Sequence, residues 1–104
     1  MISLFRKLLS SDKTDYAQLL KKGAIILDVR TKREYDGGHI DGSMNISIDQ
    51  LYENLHFLKN KEQPIITCCA SGNRSAVAIN ILKTNGYSNL YDGGGWQSLK
   101  NKIK

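Results

Sequence analysis

The sequence predicts an α/β fold in which parallel strands alternate with helices. Three observations carry that expectation. Residues 24–29 and 65–68 are short, nearly continuous apolar runs with β-branched members, the pattern of strands buried on both faces. Between and after them lie stretches with apolar residues at helical spacing. Glycines stand where those stretches should stop, at Gly23, at Gly37 and Gly38, and at Gly86.

In chain order, Thr14 is the expected N-cap of a short helix over 15–22 that Gly23 ends. The first strand follows at 24–29, and then one helical turn over 31–35. Residues 45–48 read as a short extended piece. Asp49 should cap a helix that carries Leu51, Leu55 and Leu58 on one side. Pro64 opens the next strand, 65–68, and a helix over 75–84 should bury Ala76, Ile79 and Leu82. A third strand is expected at 89–91, broken by Gly93, Gly94 and Gly95 before a last helix from Trp96. Open parallel sheets place their sites at the carboxyl ends of strands. Asp28 and Arg30, Cys69, and Asp92 and Gly93 all fall at such ends.

The 104 residues, 40% apolar and 24% charged, make one domain over 1–104 with its core at about 15–100. A short helical cap is expected at the N-terminus, where Arg6 and Lys7 interrupt an apolar start too short for a secretory signal. The net charge of +5 owes much to Lys100, Lys102 and Lys104, read as a solvated basic tail. No aromatic residues interleave with the basic ones, so a nucleic-acid partner is not expected. Nor does any apolar run approach a membrane span. A soluble cytoplasmic protein is the expectation. Cys68 and Cys69 are neighbours in a strand, pointing to opposite faces, and form neither a disulfide framework nor metal-ligand spacing. Neither a metal nor an organic cofactor is expected.

Cys69 is the candidate nucleophile. It follows the strand 65–68 as the first residue of the loop that continues through Ala70, Ser71, Gly72, Asn73, Arg74 and Ser75, with a helix starting near Arg74 and Ser75. Such a loop aims backbone N–H groups and the positive end of a helix at the sulfur, and Arg74 adds a guanidinium. All three favour a thiolate, and the same cradle would hold an anion beside it. Arg74 is expected to grip an oxyanion, with a structural role in holding loop carbonyls as the alternative. Ser71 reads as a loop former with a possible substrate contact, and Ser75 as a hydrogen-bonder at the helix start. Asp28, Arg30, Glu34 and His39 read as structural support. Arg30 and Glu34 have the i,i+4 spacing of an ion pair, Asp28 can accept from loop N–H groups, and His39 suits a satisfied turn histidine. The three glycines from Gly93 lack the ending of a phosphate-binding loop and read as a close-packed turn beside the Cys69 loop.

Taken in order, these motifs resemble the single-domain rhodanese family. The set runs from Asp28-Val-Arg30 through Glu34-Tyr35, Gly38-His39-Ile40, Gly42-Ser43 and Asn45-Ile46. It continues with Cys69-x-Ser-Gly-Asn-Arg74-Ser75, Gly86-Tyr87 and Gly94-Gly95-Trp96. The resemblance covers the chain from about Asp15 to Trp96. It implies a central five-stranded parallel sheet with helices on both faces, and a cysteine, here Cys69, that carries sulfane sulfur as a persulfide. Asp41 stands where the family commonly has proline, a change in a turn residue, and the segment after Trp96 is short for a lid. Cys69 through Arg74 is six residues, whereas the related phosphatases have a Cys-x5-Arg loop one residue longer. The shorter loop favours sulfur over phosphorus.

The expected activity is therefore transfer of sulfane sulfur from thiosulfate or another persulfide donor to a thiol or cyanide acceptor by double displacement. The expected partners are a small anionic donor such as thiosulfate and the acceptor, with a sulfur-relay protein as a further candidate. Three alternatives stay open: a phosphatase or arsenate reductase using the same nucleophile, a protein-to-protein sulfur carrier, and a non-catalytic binding module.

Overall fold

Asp15, rather than Thr14, caps the first helix of the computed structural model, which describes residues 14–104. Its carboxylate accepts from the Gln18 N–H at 3.0 Å, and helix α1 runs Tyr16–Lys21. Gly23, at φ +98°, turns the chain into strand β1, Ile25–Asp28. Helix α2, Lys32–Asp36, starts with a capping box in which Thr31 and Glu34 satisfy each other's N–H groups. Strand β2 is two residues, Met44–Asn45.

The helix expected from Asp49 is instead two 3-10 segments, Ile48–Gln50 and Tyr52–Phe57, preceded by Ser47. The Asn54 side chain donates to the Gln50 carbonyl at 2.8 Å, and Asn54 itself leaves helical geometry. Such side-chain competition for backbone acceptors disfavours a regular α-helix. The leucine face is nonetheless the buried one, with Leu51 and Leu58 inside.

Strand β3 covers Ile65–Cys69, helix α3 Asn73–Thr84, strand β4 Leu90–Gly95 and helix α4 Trp96–Lys102. Helix α3 buries Leu82 as expected, but with it Ser75 and Ala78, leaving Ala76 exposed and Ile79 half-buried. Lys100 and Lys102 belong to α4, which buries Leu99, and are not an unstructured tail. The expected N-terminal cap lies outside the described residues. Among the described residues, no helix is long and apolar enough to cross a membrane.

The sheet is parallel throughout, in the order β2-β1-β3-β4. Four strands, rather than the five that the resemblance implied, are present among the described residues. One face packs Leu27, Val29, Ile65 and Cys69 under α3 and the 3-10 segments, through Leu51, Ala78 and Leu82. The other packs Ile26, Ile66 and Cys68 against α1 and α4, through Tyr16 and Leu99. Helices therefore cover both faces, and the two-residue period of β3 sends adjacent cysteines to opposite cores.

β4 does not stop at its glycines. Thr67 pairs with Asp92 and Cys69 with Gly95, so β4 inserts one extra residue beside Cys68. A Cβ on Gly93 would lie 2.6 Å from the Thr67 carbonyl oxygen, and Gly94 sits at φ +74°. Only glycine fits that approach and that turn.

Candidate active site

Cys69, expected as the first loop residue, is instead the last residue of β3, held in the sheet by its pairing with Gly95, and is fully buried. The chain then reverses through Ala70 and Ser71, both exposed, to Gly72, whose φ of +111° is left-handed. That conformation lets the Gly72 N–H donate to Cys69 Sγ at 2.9 Å. Gly72 is also the N-cap of α3 and offers no side chain to the first turn. Hence the early N–H groups of a 12-residue helix stay without a side-chain cap beside the thiol. Asn73 is exposed on the rim. From the other side the loop rests on the bulge of β4: a Cβ on Gly95 would meet the Ala70 carbonyl oxygen at 3.0 Å.

Cys68 is as buried as its neighbour but faces the other way. It lies on the opposite core beneath α4, and burial, with the nearby Asp28 carboxylate, pushes its thiol up to about 12. It stays protonated at neutral pH.

Arg74 does not stand open towards an oxyanion. Its two terminal nitrogens donate to the two carboxylate oxygens of Glu34 at 2.7 and 3.0 Å, a bidentate pair from α3 to α2. Glu34 also accepts from the Thr31 N–H and hydroxyl. The Arg74 guanidinium, then the Thr31 N–H, hold the Glu34 carboxyl down at about 2. Both side chains of the pair are about one third exposed, 33% and 35%.

The expected Arg30–Glu34 ion pair is replaced by another. Arg30 pairs with Asp28, from Nη2 at 2.7 Å and from Nε at 3.0 and 3.1 Å, and touches Glu34 only at its carbonyl. The i,i+4 rule applies within a helix, and Arg30 precedes α2. The Arg30 guanidinium also donates to the Gly38 carbonyl at 2.7 Å and lies 4.7 Å from the Trp96 ring centre. Asp28 takes the Arg30 backbone N–H as well. His39 stacks on Tyr35, ring centres 3.7 Å apart, with Nδ1 2.7 Å from the Tyr35 carbonyl.

Ser75 is buried and bonds across the sheet rather than to its own helix start. Its hydroxyl donates to Asp92 at 2.7 Å and shares a 2.7 Å bond with the Thr67 hydroxyl. Asp92 further accepts from the Gly94 N–H at 3.0 Å. One carboxylate thus ties α3 to the bulge under the loop. In the sequence Asp92 stands at a strand end, and an acidic residue before three glycines is the only signal there of this bond. Among the described residues no group of His, Cys, Asp and Glu side chains is arranged to hold a metal ion.

The model of the rhodanese-like domain matches residues 12–102. The chain belongs to that family. Its relatives include YqhL of Bacillus subtilis, an uncharacterized protein, 34% identical over 82 residues that make up 78% of this chain and 64% of YqhL. Thiosulfate sulfurtransferase GlpE of Pseudomonas fluorescens is 31% identical, over 77% of this chain and 75% of GlpE. Among solved structures, a rhodanese with anions from E. coli superposes with a TM-score of 0.69 at 26% identity, over 73% of this chain and 91% of that one. The chain spans less than two thirds of YqhL, and only 25% of another relative, the tRNA uridine(34) hydroxylase of Buchnera aphidicola. The rhodanese domain therefore also occurs within longer proteins of other activity.

Proposed function

We propose that this rhodanese domain is a sulfurtransferase that carries sulfane sulfur on Cys69. The observation that carries the reading is the Gly72 N–H aimed at Cys69 Sγ from the start of α3. A donor N–H and the positive end of a helix stabilise negative charge on that sulfur in the thiolate and again in the persulfide. In the first displacement, Cys69 thiolate attacks the sulfane sulfur of the donor. The new S–S bond forms as the donor's own bond to that sulfur breaks, and sulfite or a thiolate leaves with the electron pair. In the second, cyanide or a thiolate takes the outer sulfur and Cys69 leaves as thiolate. This is covalent catalysis with ping-pong kinetics.

The six-residue loop and the sulfurtransferase relatives favour sulfur over the phosphatase alternative. Two free cysteines suit a reducing compartment such as the cytoplasm. The reading also takes residues 1–104 as one domain and Ala70 to Ser75 as the loop that cradles the donor. Intact-mass analysis tests it: exposure to thiosulfate or to an organic persulfide should add one sulfur atom, and cyanide should remove it. Unchanged mass with both donors would discard the sulfur-carrier reading.

A further inference from the structure

Among the described residues the Gly72 N–H is the donor that reaches Cys69 Sγ, so its placement depends on how the start of α3 is held. That start has no cap of its own: Gly72 carries no side chain, and the first turn holds no acidic residue. The turn opens with Asn73, Arg74 and Ser75. Asn73 is exposed, Arg74 reaches across to Glu34 on α2, and Ser75 reaches to Asp92 on β4. The two straps differ in kind. Arg74 and Glu34 are about one third exposed and can exchange each other for water. Ser75 is fully buried and has no water to take the place of its partner.

Asp92 is a fixed anchor for that strap. Its backbone pairs with Thr67 in the sheet, and its carbonyl accepts from the Tyr16 hydroxyl at 3.2 Å. Its Oδ1 takes both the Ser75 hydroxyl at 2.7 Å and the Gly94 N–H at 3.0 Å. A carboxylate only accepts, so the single Ser75 proton goes to Asp92. The Thr67 hydroxyl is then the donor in its 2.7 Å bond with Ser75. The chain from Thr67 through Ser75 to Asp92 therefore runs one way, and it leaves Ser75 no proton for the Cys69 sulfur. It ties α3 to the same bulge that Gly72 approaches, where a Cβ on Gly72 would lie 3.9 Å from Gly94 Cα.

We infer that Asp92 is a positioning residue for the reaction at Cys69: through Ser75 it seats the first turn of α3 so that the Gly72 N–H stays on the sulfur. This role rests on the sulfur-transfer reading and adds to it a residue on β4, outside the Cys69 loop. What Asp92 supplies is an acceptor rather than a charge, since both of its side-chain bonds go to Oδ1. An asparagine keeps that oxygen. An N–H held on the sulfur favours the thiolate, so losing the seat slows every reaction of Cys69 as a nucleophile.

The test compares Asp92→Ala, Asp92→Asn and Ser75→Ala with wild type on three readouts: the rate of sulfur loading from thiosulfate, the rate of Cys69 alkylation by iodoacetamide at pH 7, and the amide proton resonance of Gly72. Asp92→Ala and Ser75→Ala should each slow loading and alkylation about 10-fold, the loss of one hydrogen bond to a charged atom. In both, the Gly72 amide proton should leave the downfield position that its bond to sulfur gives it. Asp92→Asn should stay within about 3-fold of wild type and keep the Gly72 resonance, because the acceptor remains. A tie that served stability alone would lower the urea midpoint and move neither the alkylation rate nor the Gly72 resonance of the folded protein. That result overturns the inference, as does an Asp92→Asn as slow as Asp92→Ala. Should Ser75→Ala fail to fold, the two Asp92 variants decide, since Asp92 is exposed on the bulge. If wild type is loaded by neither thiosulfate nor an organic persulfide, the sulfur-transfer reading falls, while alkylation and the Gly72 resonance still judge Asp92.

Discussion

Two loops leave the sheet side by side, one after β1 and one after β3, and each contains an arginine clasped by a carboxylate. After β1 the pair is Arg30 with Asp28, their side chains 5% and 1% exposed. After β3 the pair is Arg74 with Glu34, about one third exposed. The chemistry is the same and the burial is not. A charge in the interior has no water to fall back on, so Arg30 and Asp28 must satisfy each other, helped by the Gly38 carbonyl and the Trp96 ring. At the rim, either member of the Arg74–Glu34 pair can exchange its partner for water or for a ligand at small cost. The first loop is therefore a frame and the second an adjustable mouth.

The sharpest way to break this contrast lies in the two cysteines that enter the second loop. Cys69→Ser should abolish sulfur transfer while the fold survives, because a serine hydroxyl fits the site but does not ionise at neutral pH. Cys68→Ala should retain transfer and lose about 1 kcal/mol of stability through lost packing. A cyanide–thiosulfate assay on both folded variants decides, and a dead Cys68→Ala with a live Cys69→Ser would reverse the assignment.

The arginines come next. Arg30→Ala leaves Asp28 buried without its counter-charge and should cost about 3–5 kcal/mol in urea unfolding. Arg74→Ala should cost about 1 kcal/mol or less, since its pair is screened by solvent. Equal losses would mean that the mouth is as rigid as the frame.

A smaller effect is expected at the bulge on which the second loop rests. Gly93→Ala drives a methyl group against the Thr67 carbonyl and Leu99, and should cost about 1–3 kcal/mol. Gly23→Ala makes a useful contrast, since its Cβ meets nothing within 4 Å and only the left-handed backbone objects.

The least effect is that of acid. Glu34 has its carboxyl lowered from 4.5 to about 2 when folded, so its contribution is fully present above about pH 4.5. That contribution fades as pH falls towards 2, the direction set by a folded value below the unfolded one. Because the pair is partly exposed, the loss should be about 1 kcal/mol or less and should shrink further in salt. Comparing wild type with Glu34→Gln across pH 5 to 2 measures it, and an unchanged difference would show that the pair contributes nothing.

The sequence by itself determined the strand-helix alternation, because burial on both faces of a parallel sheet leaves continuous apolar runs such as 24–29 and 65–68. It also determined that the two cysteines face opposite cores, since the two-residue period of a strand separates Cys68 from Cys69 wherever the sheet lies. What tertiary structure alone decided was who pairs with whom. Glu34 and Arg74 are 40 residues apart, Ser75 and Asp92 are 17 apart, and neither bond leaves a local spacing to read. Arg30 had Glu34 at helical spacing and still turned to Asp28, because both ended inside the same low-dielectric layer beneath Trp96. The glycines of β4 follow the same logic: their type marks a turn, but only β3 lying against them makes Gly93 a site of contact and Gly95 a seat for Ala70. Periodicity encodes which face a residue takes. The partner it meets there depends on what the rest of the chain brings to that face.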